Sequence, residues 1–269
     1  KVFNGQGYKL ADEIEEKIEE QILSAQQPEL PGGIQLGRRV ERTEAAEDYE
    51  KFLRSSADCS LKGLHIVLDT ANGASYKIAP QVFSALGAEV HCIGNIPDGT
   101  TINDACGSTH PEKLQEAVKQ LGADLGLAFD GDADRLIAVD EQGRLVDGDR
   151  VMAVCALDMK AHGKLAKDTV VGTVMSNLGL QLYLQKHGIE LVKTAVGDRY
   201  VLEEMLASGY NFGGEQSGHV IILDKNTTGD AMLTALQLLG VVVRSGKKLG
   251  ELAYEIAILP QVLINAKVS

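Results

Sequence analysis

The sequence predicts an α/β protein made of two consecutive three-layer α/β/α domains with mixed, largely parallel sheets. Three observations predict it. Short apolar runs alternate with amphipathic stretches from about residue 65 to about residue 243, the pattern of strands joined by crossover helices. The series occurs twice, with its break near residue 145. The chain of 269 residues is also long enough for two domains, at roughly 150 residues each.

The elements follow in order. Leu10, Ile14, Ile18 and Ile22 recur every four residues in a Glu-rich setting, which predicts an amphipathic surface helix over 10–26. Pro28, Pro31, Gly32 and Gly33 break it and mark a linker. A second helix is expected over 43–55. The run 65–69 reads as a strand, 70–74 as a turn, 76–86 as a helix closed by Gly87, and 89–93 as the next strand. Thr109 opens a helix, with Glu112 three residues on as a capping box and Gly122 at its end. Residues 124–129 read as a strand. A hairpin follows, from 136–140 through 141–144 to 145–146. The second series places helices over 150–161, 178–187, 200–207 and 230–243, and strands over 169–175, 190–192 and 218–223. The final stretch, 258–269, reads as a strand leading out of the second domain.

Composition narrows the function. The chain carries 26 Lys and Arg against 38 Asp and Glu, a net charge of −12, which argues against bulk binding to nucleic acid or an anionic membrane. A few local cations still suffice for one small anionic substrate. No apolar run reaches the roughly 20 residues of a membrane span, and the first ten residues are too polar for a secretory signal. The four cysteines form no CxxC pair, as expected of free thiols in a reducing cytoplasm. The chain begins without Met and in mid-pattern, so a fragment is expected.

The loop Asp130-Gly131-Asp132-Ala133-Asp134-Arg135 follows a strand directly. In an extended loop alternate side chains point the same way, so three carboxylates can converge. Their mutual repulsion is relieved by a hard divalent cation, and oxygen ligands suit Mg²⁺. A solvated acidic turn and a calcium-binding helix–loop–helix compete with that reading. The second has Arg135 where its loop requires glycine, and strands where it requires helices. Beside the metal, Arg135 offers a planar fork to a phosphate. The loop Gly213-Gly214-Glu215-Gln216-Ser217-Gly218-His219 places Glu215 and Ser217 two apart, able to face one cavity and pair with sugar hydroxyls. His219 is a candidate for proton transfer near neutral pH. A glycine-rich hairpin with incidental polar residues is the competing reading. In 196–200, Asp198 is an N-cap candidate and Arg199 a candidate phosphate ligand. Asp230 reads as a first-turn complement to the helix dipole.

Taken together, DGDADR, GEQSGH and the strand followed by TANGA make the chain resemble the α-D-phosphohexomutases. VGDRYV and the LDKNTTGD run resemble the bacterial members that act on glucosamine phosphates. The resemblance extends over essentially the whole chain. It implies a Mg²⁺-dependent phosphosugar mutase working through a phosphoserine and a bisphosphate intermediate, with a phosphosugar as its small-molecule partner. It further implies Asp130, Asp132 and Asp134 as metal ligands, Arg135 steadying the transferring group, Glu215 and Ser217 gripping the sugar, and Lys1 matching the lysine of an NGxK motif. By the same comparison, residues 1–40 correspond to the end of a first domain and a linker. Residues 41–144 correspond to a second domain with the metal loop, 145–257 to a third with the sugar loop, and 258–269 to the start of a further linker. The family's serine loop and RxSGTE-like phosphate loop are not in this sequence, so the fragment by itself is expected to be inactive. Ala231 departs from the family's TTGDG, at a helix start expected to lie away from the metal loop. Other sugar phosphates as substrates, a metal-dependent phosphatase, and a regulatory module that kept the metal loop without catalysis remain open on these residues.

Overall fold

A computed structural model describes residues 2–24 and 30–262. The chain divides into two compact units, 1–49 and 50–269.

In the first unit, Phe3 and Lys9 form an antiparallel bridge around the turn at Asn4. Helix α1 follows over Asp12–Leu23. Its Ile14, Ile18 and Ile22 lie on the expected stripe, but all three are exposed, and no residue of the helix is buried within this unit. Lys1 and Pro28 lie outside the described residues, Pro31, Gly32 and Gly33 are described, and a single 3₁₀ turn covers Gly33–Gln35.

Helix α2, Ala45–Ser56, leads into the second unit. That unit contains two sheets. The first has strands β1 (His65–Asp69), β2 (Glu89–Ile93), β3 (Leu125–Phe129), β4 (Leu136–Asp140) and β5 (Leu145–Val146), in the order β2-β1-β3-β4-β5. β1 runs parallel to both β2 and β3, and β3, β4 and β5 continue antiparallel. Two helices cover opposite faces. α3 (Ile78–Ala85) places Phe83 with its ring centroid 6.5 Å from that of Phe129. α4 (Glu112–Leu121) sets Leu114 and Val118 against Val67, Ala128 and Val139. Because successive strand residues face opposite ways, Phe129 and Ala128 serve the two layers in turn. The expected capping box at Thr109 does not form. α4 begins at Glu112 after Pro111, with no side-chain cap, since proline pre-sets the first-turn geometry and lacks the N–H a cap would satisfy.

Helix α5 (Gly148–Ala161), capped by the Asp147 side chain, opens the second sheet region. Strand β6 (Thr169–Thr173), helix α6 (Leu178–Lys186), strand β7 (Glu190–Thr194) and helix α7 (Asp198–Ser208) follow. Strands β8 (Phe212–Gly214) and β9 (Val220–Ile222) complete the order β7-β6-β8-β9, with only β8–β9 antiparallel. Gly213 faces Met205 of α7 and Gly214 faces Met152 of α5, so this sheet too has a helix layer on each side. Strand β8 was not expected, because two of its three residues are glycine. Helix α8 (Ala231–Ser245) has eleven buried residues and packs against β3, β4 and β9, so it serves both sheets. A short helix α9, Leu249–Ala253, also had no sequence signal. No strand forms over 258–262, the described part of the stretch 258–269 where one was expected. That segment lies against the start of α6 instead: Asn177 Nδ2 donates to Leu259 O at 2.8 Å, and Leu259 N–H donates to Asn177 Oδ1 at 2.9 Å.

All four cysteines are free, two of them buried. Burial pushes the Cys155 thiol up to about 12, so it is inert as a nucleophile. Among the described residues no helix is long and apolar enough to cross a membrane.

Candidate active site

The acidic loop leaves β3 at its carboxyl end. Its chain reversal rests on Ala133, whose φ of 60° is left-handed and whose N–H donates to Asp130 O at 3.0 Å. Asp130 is 1% exposed. Its Oδ1 accepts the backbone N–H groups of Asp134 (3.0 Å) and Arg135 (3.1 Å), and its Oδ2 accepts Arg135 Nε at 2.7 Å. Burial, and then the charge of Asp134, raise the Asp130 carboxyl above the usual range, against the bonds from Arg135. Burial works against the Arg135 charge, but its bond to Asp130 and the surrounding aspartates raise its pKa. One carboxylate oxygen from each of Asp130, Asp132 and Asp134 lies within 4.8 Å of the others. This is a hard oxygen donor set of the kind Mg²⁺ takes, and a cation there would relieve the repulsion that raises Asp130.

The second loop meets the first along a backbone seam. Leu136 N–H donates to Gly218 O at 3.0 Å, and Arg135 and His219 form an isolated antiparallel bridge. His219 is 3% exposed. Its Nδ1 stands 3.4 Å from Asp134 Oδ2, and its Nε2 stands 3.7 Å from Asp198 Oδ2. Gly229 N–H donates to Nε2 at 3.1 Å. The neutral ring therefore carries its proton on Nδ1, facing Asp134. Gly229 approaches so closely that a Cβ there would lie 2.6 Å from the imidazole.

Glu215 and Ser217 occupy the tight turn between β8 and β9, closed by Gly218 N–H on Glu215 O at 3.0 Å. Ser217 is exposed. Glu215 Oε1 accepts Gly197 N–H at 3.1 Å, which ties this turn to the start of α7. Arg199 directs its guanidinium along its own helix to Glu203, at 2.7 Å. Asp198 is the first residue of α7, with Gly197 as the cap residue.

The structure thus brings Asp130, Asp132, Asp134, Arg135 and His219 into one cluster, while the Glu215 side chain is turned to Gly197 and Ser217 is exposed on the same turn. Arg199 is paired to one side of it, and Lys1 lies outside the described residues. Two neighbours of His219, Asp198 and Gly229, were not assigned to it from sequence. Each was visible as part of a loop motif, but no spacing links residue 198 or 229 to residue 219. A correction concerns Ala231. Far from lying away from the acidic loop, its N–H donates to Ala133 O at 3.0 Å, in the middle of that loop. Asp230 caps α8 through its side chain, accepting Leu233 N–H at 2.9 Å, rather than acting only on the dipole.

Comparison with known proteins agrees with this fold. Two models of one family match, phosphoglucomutase/phosphomannomutase α/β/α domain II over residues 47–143 and α/β/α domain III over 147–257. The phosphoglucosamine mutase of Acetivibrio thermocellus is 56% identical across the whole chain, which covers 60% of that relative. The phosphoglucosamine mutase of Caldanaerobacter subterraneus is 57% identical, again with 60% of its length covered. The chain thus spans about 60% of the curated relatives it matches. Among solved structures, a phosphoglucomutase/phosphomannomutase family protein of Burkholderia thailandensis superposes with a TM-score of 0.68 at 27% identity, over 79% of this chain and 46% of that one. The N-acetylphosphoglucosamine mutase of Aspergillus fumigatus, in complex with GlcNAc-6P and magnesium, shares the fold with a TM-score of 0.66 at 21% identity, over 83% and 56% of the two chains.

Proposed function

Since this chain belongs to the phosphoglucomutase/phosphomannomutase family, we propose that the protein carrying it interconverts glucosamine 6-phosphate and glucosamine 1-phosphate. The observation that carries the reading is the seam joining the DGDADR and GEQSGH loops, Arg135 against His219 and His219 beside Asp134. It places a metal-type carboxylate set, a cation and a titratable ring in one cluster. The identity of 56–57% to phosphoglucosamine mutases supports the choice of sugar.

Asp130, Asp132 and Asp134 would hold Mg²⁺, which when bound neutralises charge developing on a transferring phosphoryl group. Arg135 keeps Nε on Asp130 and leaves its remaining guanidinium N–H groups available to phosphate oxygens. Glu215 and Ser217 sit at the tip of the β8–β9 turn, where a carboxylate and a hydroxyl can bond sugar hydroxyls or, for Glu215, an amine. His219 is oriented by Asp134 at Nδ1, and Asp198 lies on its Nε2 side to stabilise the imidazolium. It would take a sugar hydroxyl proton at Nε2, the nitrogen that accepts Gly229 N–H at 3.1 Å in this structure. The reading leaves turnover to the whole protein, because the phosphoserine nucleophile and the distal phosphate loop of the family have no counterpart in these residues.

Titration calorimetry with Mg²⁺ on this chain and on Asp132→Asn tests the metal site, with heat of binding expected only in the first. In the whole protein, glucosamine 6-phosphate should be turned over in preference to glucose and mannose 6-phosphates. Equal Mg²⁺ heats in both chains, or preference for another hexose phosphate, would overturn the reading.

A further inference from the structure

The strand-and-TANGA segment, 65–74, carries no residue of the cluster just described, yet it touches the acidic loop at its centre. Gly73 stands against Gly131, the residue between Asp130 and Asp132. A Cβ on Gly73 would overlap the Gly131 carbonyl oxygen and lie 2.7 Å from its Cα. The next residue, Ala74, donates its N–H to that carbonyl at 2.8 Å. The direction of the Gly131 peptide is therefore set from outside its own loop, and the flanking carboxylates follow it.

The segment is itself held rigidly. Ala71 and Asn72 both have left-handed backbones, φ 54° and 52°, which non-glycine residues adopt at a cost. Asp69, wholly buried at the end of β1, holds them there. Its Oδ1 accepts Ala71 N–H at 3.0 Å and its Oδ2 accepts Gly107 N–H at 2.8 Å. Asn72 binds the loop on its other side, with Nδ2 donating to Thr101 O at 3.2 Å and Oδ1 accepting Ile96 N–H at 2.8 Å. The loop that Gly107 anchors returns to the site, because Ser108 N–H donates to Phe129 O at 2.8 Å, one residue before Asp130. Asp69 thus supports the acidic loop from two directions, through Gly73–Ala74 onto Gly131 and through Gly107–Ser108 onto Phe129.

We propose that Asp69–Ala74 is a positioning element for the metal-ligand set, with Gly73 fixing the Gly131 peptide and Asp69 locking the strained turn that presents Gly73. The proposal rests on the metal reading above for its consequence, though not for its geometry. Outer groups that orient metal ligands typically matter by 10- to 100-fold in affinity.

The test uses Mn²⁺ as the probe, by electron paramagnetic resonance titration of residues 1–269 well below the melting temperature. Gly73→Ala should weaken Mn²⁺ binding by about tenfold or more. Asp69→Asn keeps only one acceptor oxygen for two N–H donors and should weaken it in the same direction. Leu180→Ala is the control for lost stability, since Leu180 is wholly buried in α6, a helix that makes none of the contacts described above for Asp69–Ala74 and the acidic loop. It should lower the melting temperature and leave Mn²⁺ affinity unchanged. In parallel, the amide resonances of Asp134 and Arg135, whose N–H groups meet Asp130 Oδ1, report loop geometry without any metal. They should shift in Gly73→Ala and Asp69→Asn and stay in place in Leu180→Ala. Unshifted amides in both variants overturn the proposal, as does Mn²⁺ affinity that falls only in step with melting temperature across all three. Amides that shift in both variants, together with a wild-type chain that binds no Mn²⁺, uphold the positioning geometry and sink the metal reading alone.

Discussion

Replacing Asp149 by Asn should make the protein more stable at pH 8 and remove the fall in stability that Asp149 causes as pH rises. Asp149 lies in the first turn of α5 and is wholly buried. Its Oδ2 accepts Asn177 N–H at 2.7 Å, while its Oδ1 has no hydrogen-bond partner. Burial raises its carboxyl from the ordinary 3.8 to about 7, helped by the charge of Asp147 and opposed by the bond from Asn177. Between these values the folded state holds a proton that the unfolded state has lost. Stability therefore falls as pH rises from about 4 to about 7, and the whole cost is present above that. At 1.36 kcal/mol per pKa unit the rise corresponds to about 4 kcal/mol. Asn keeps an acceptor for Asn177 N–H and removes the charge. It leaves an NH₂ group in place of the unpartnered Oδ1, at about 1–3 kcal/mol. The variant should be about 1–3 kcal/mol more stable than wild type at pH 8 and near equal or slightly weaker at pH 5. Urea unfolding followed by circular dichroism at several pH values between 5 and 8 measures this difference, and contributions from other groups cancel in it. Parallel stability curves for the two proteins would refute the argument, because they would mean that Asp149 titrates alike in the folded and unfolded chains.

Other outcomes follow from the same structure. Ser217→Ala in the whole protein should raise KM for the sugar phosphate and leave the concentration of Mg²⁺ giving half-maximal rate unchanged, because Ser217 is exposed on the β8–β9 turn and outside the carboxylate set. A changed Mg²⁺ requirement with normal sugar kinetics would move Ser217 to the metal. Gly179→Ala should lower the melting temperature by several degrees, because its Cβ would overlap the carbonyl oxygen of Ala257 and push residues 257–261 off the Asn177 side chain. An unchanged melting temperature would show that this segment does not hold to α6.

Much of the architecture was legible along the chain. β1, β3 and β4 are buried at nearly every position, so they appear as unbroken apolar runs, the mark of strands covered on both faces. Gly122, Gly209 and Gly246 close their helices in left-handed conformations. Such endings are written in single residues. β8 was hidden because Gly213 and Gly214 are small to admit Met205 and Met152 from the two helix layers, and a residue chosen for room leaves no hydrophobic signal. The capping box at Thr109 failed because Pro111 offered the backbone a competing start to the same helix.

For the candidate site, the sequence by itself determined the donor chemistry: three carboxylates at alternate positions, an arginine beside them, and a second loop with Glu215, Ser217 and His219. These are local facts, because a strand end and a two-residue period decide which side chains share a direction. Only the tertiary structure decided what those groups meet. Asp134 faces a histidine 85 positions away, that histidine faces Asp198 and Gly229, the Gly131 peptide is held by Ala74, and Ala231 bonds the loop from which the sequence had separated it. Each is a contact between loops on different strands. Which loops share one end of a sheet depends on strand order and on the packing of α8 against both sheets, and no spacing along the chain encodes either.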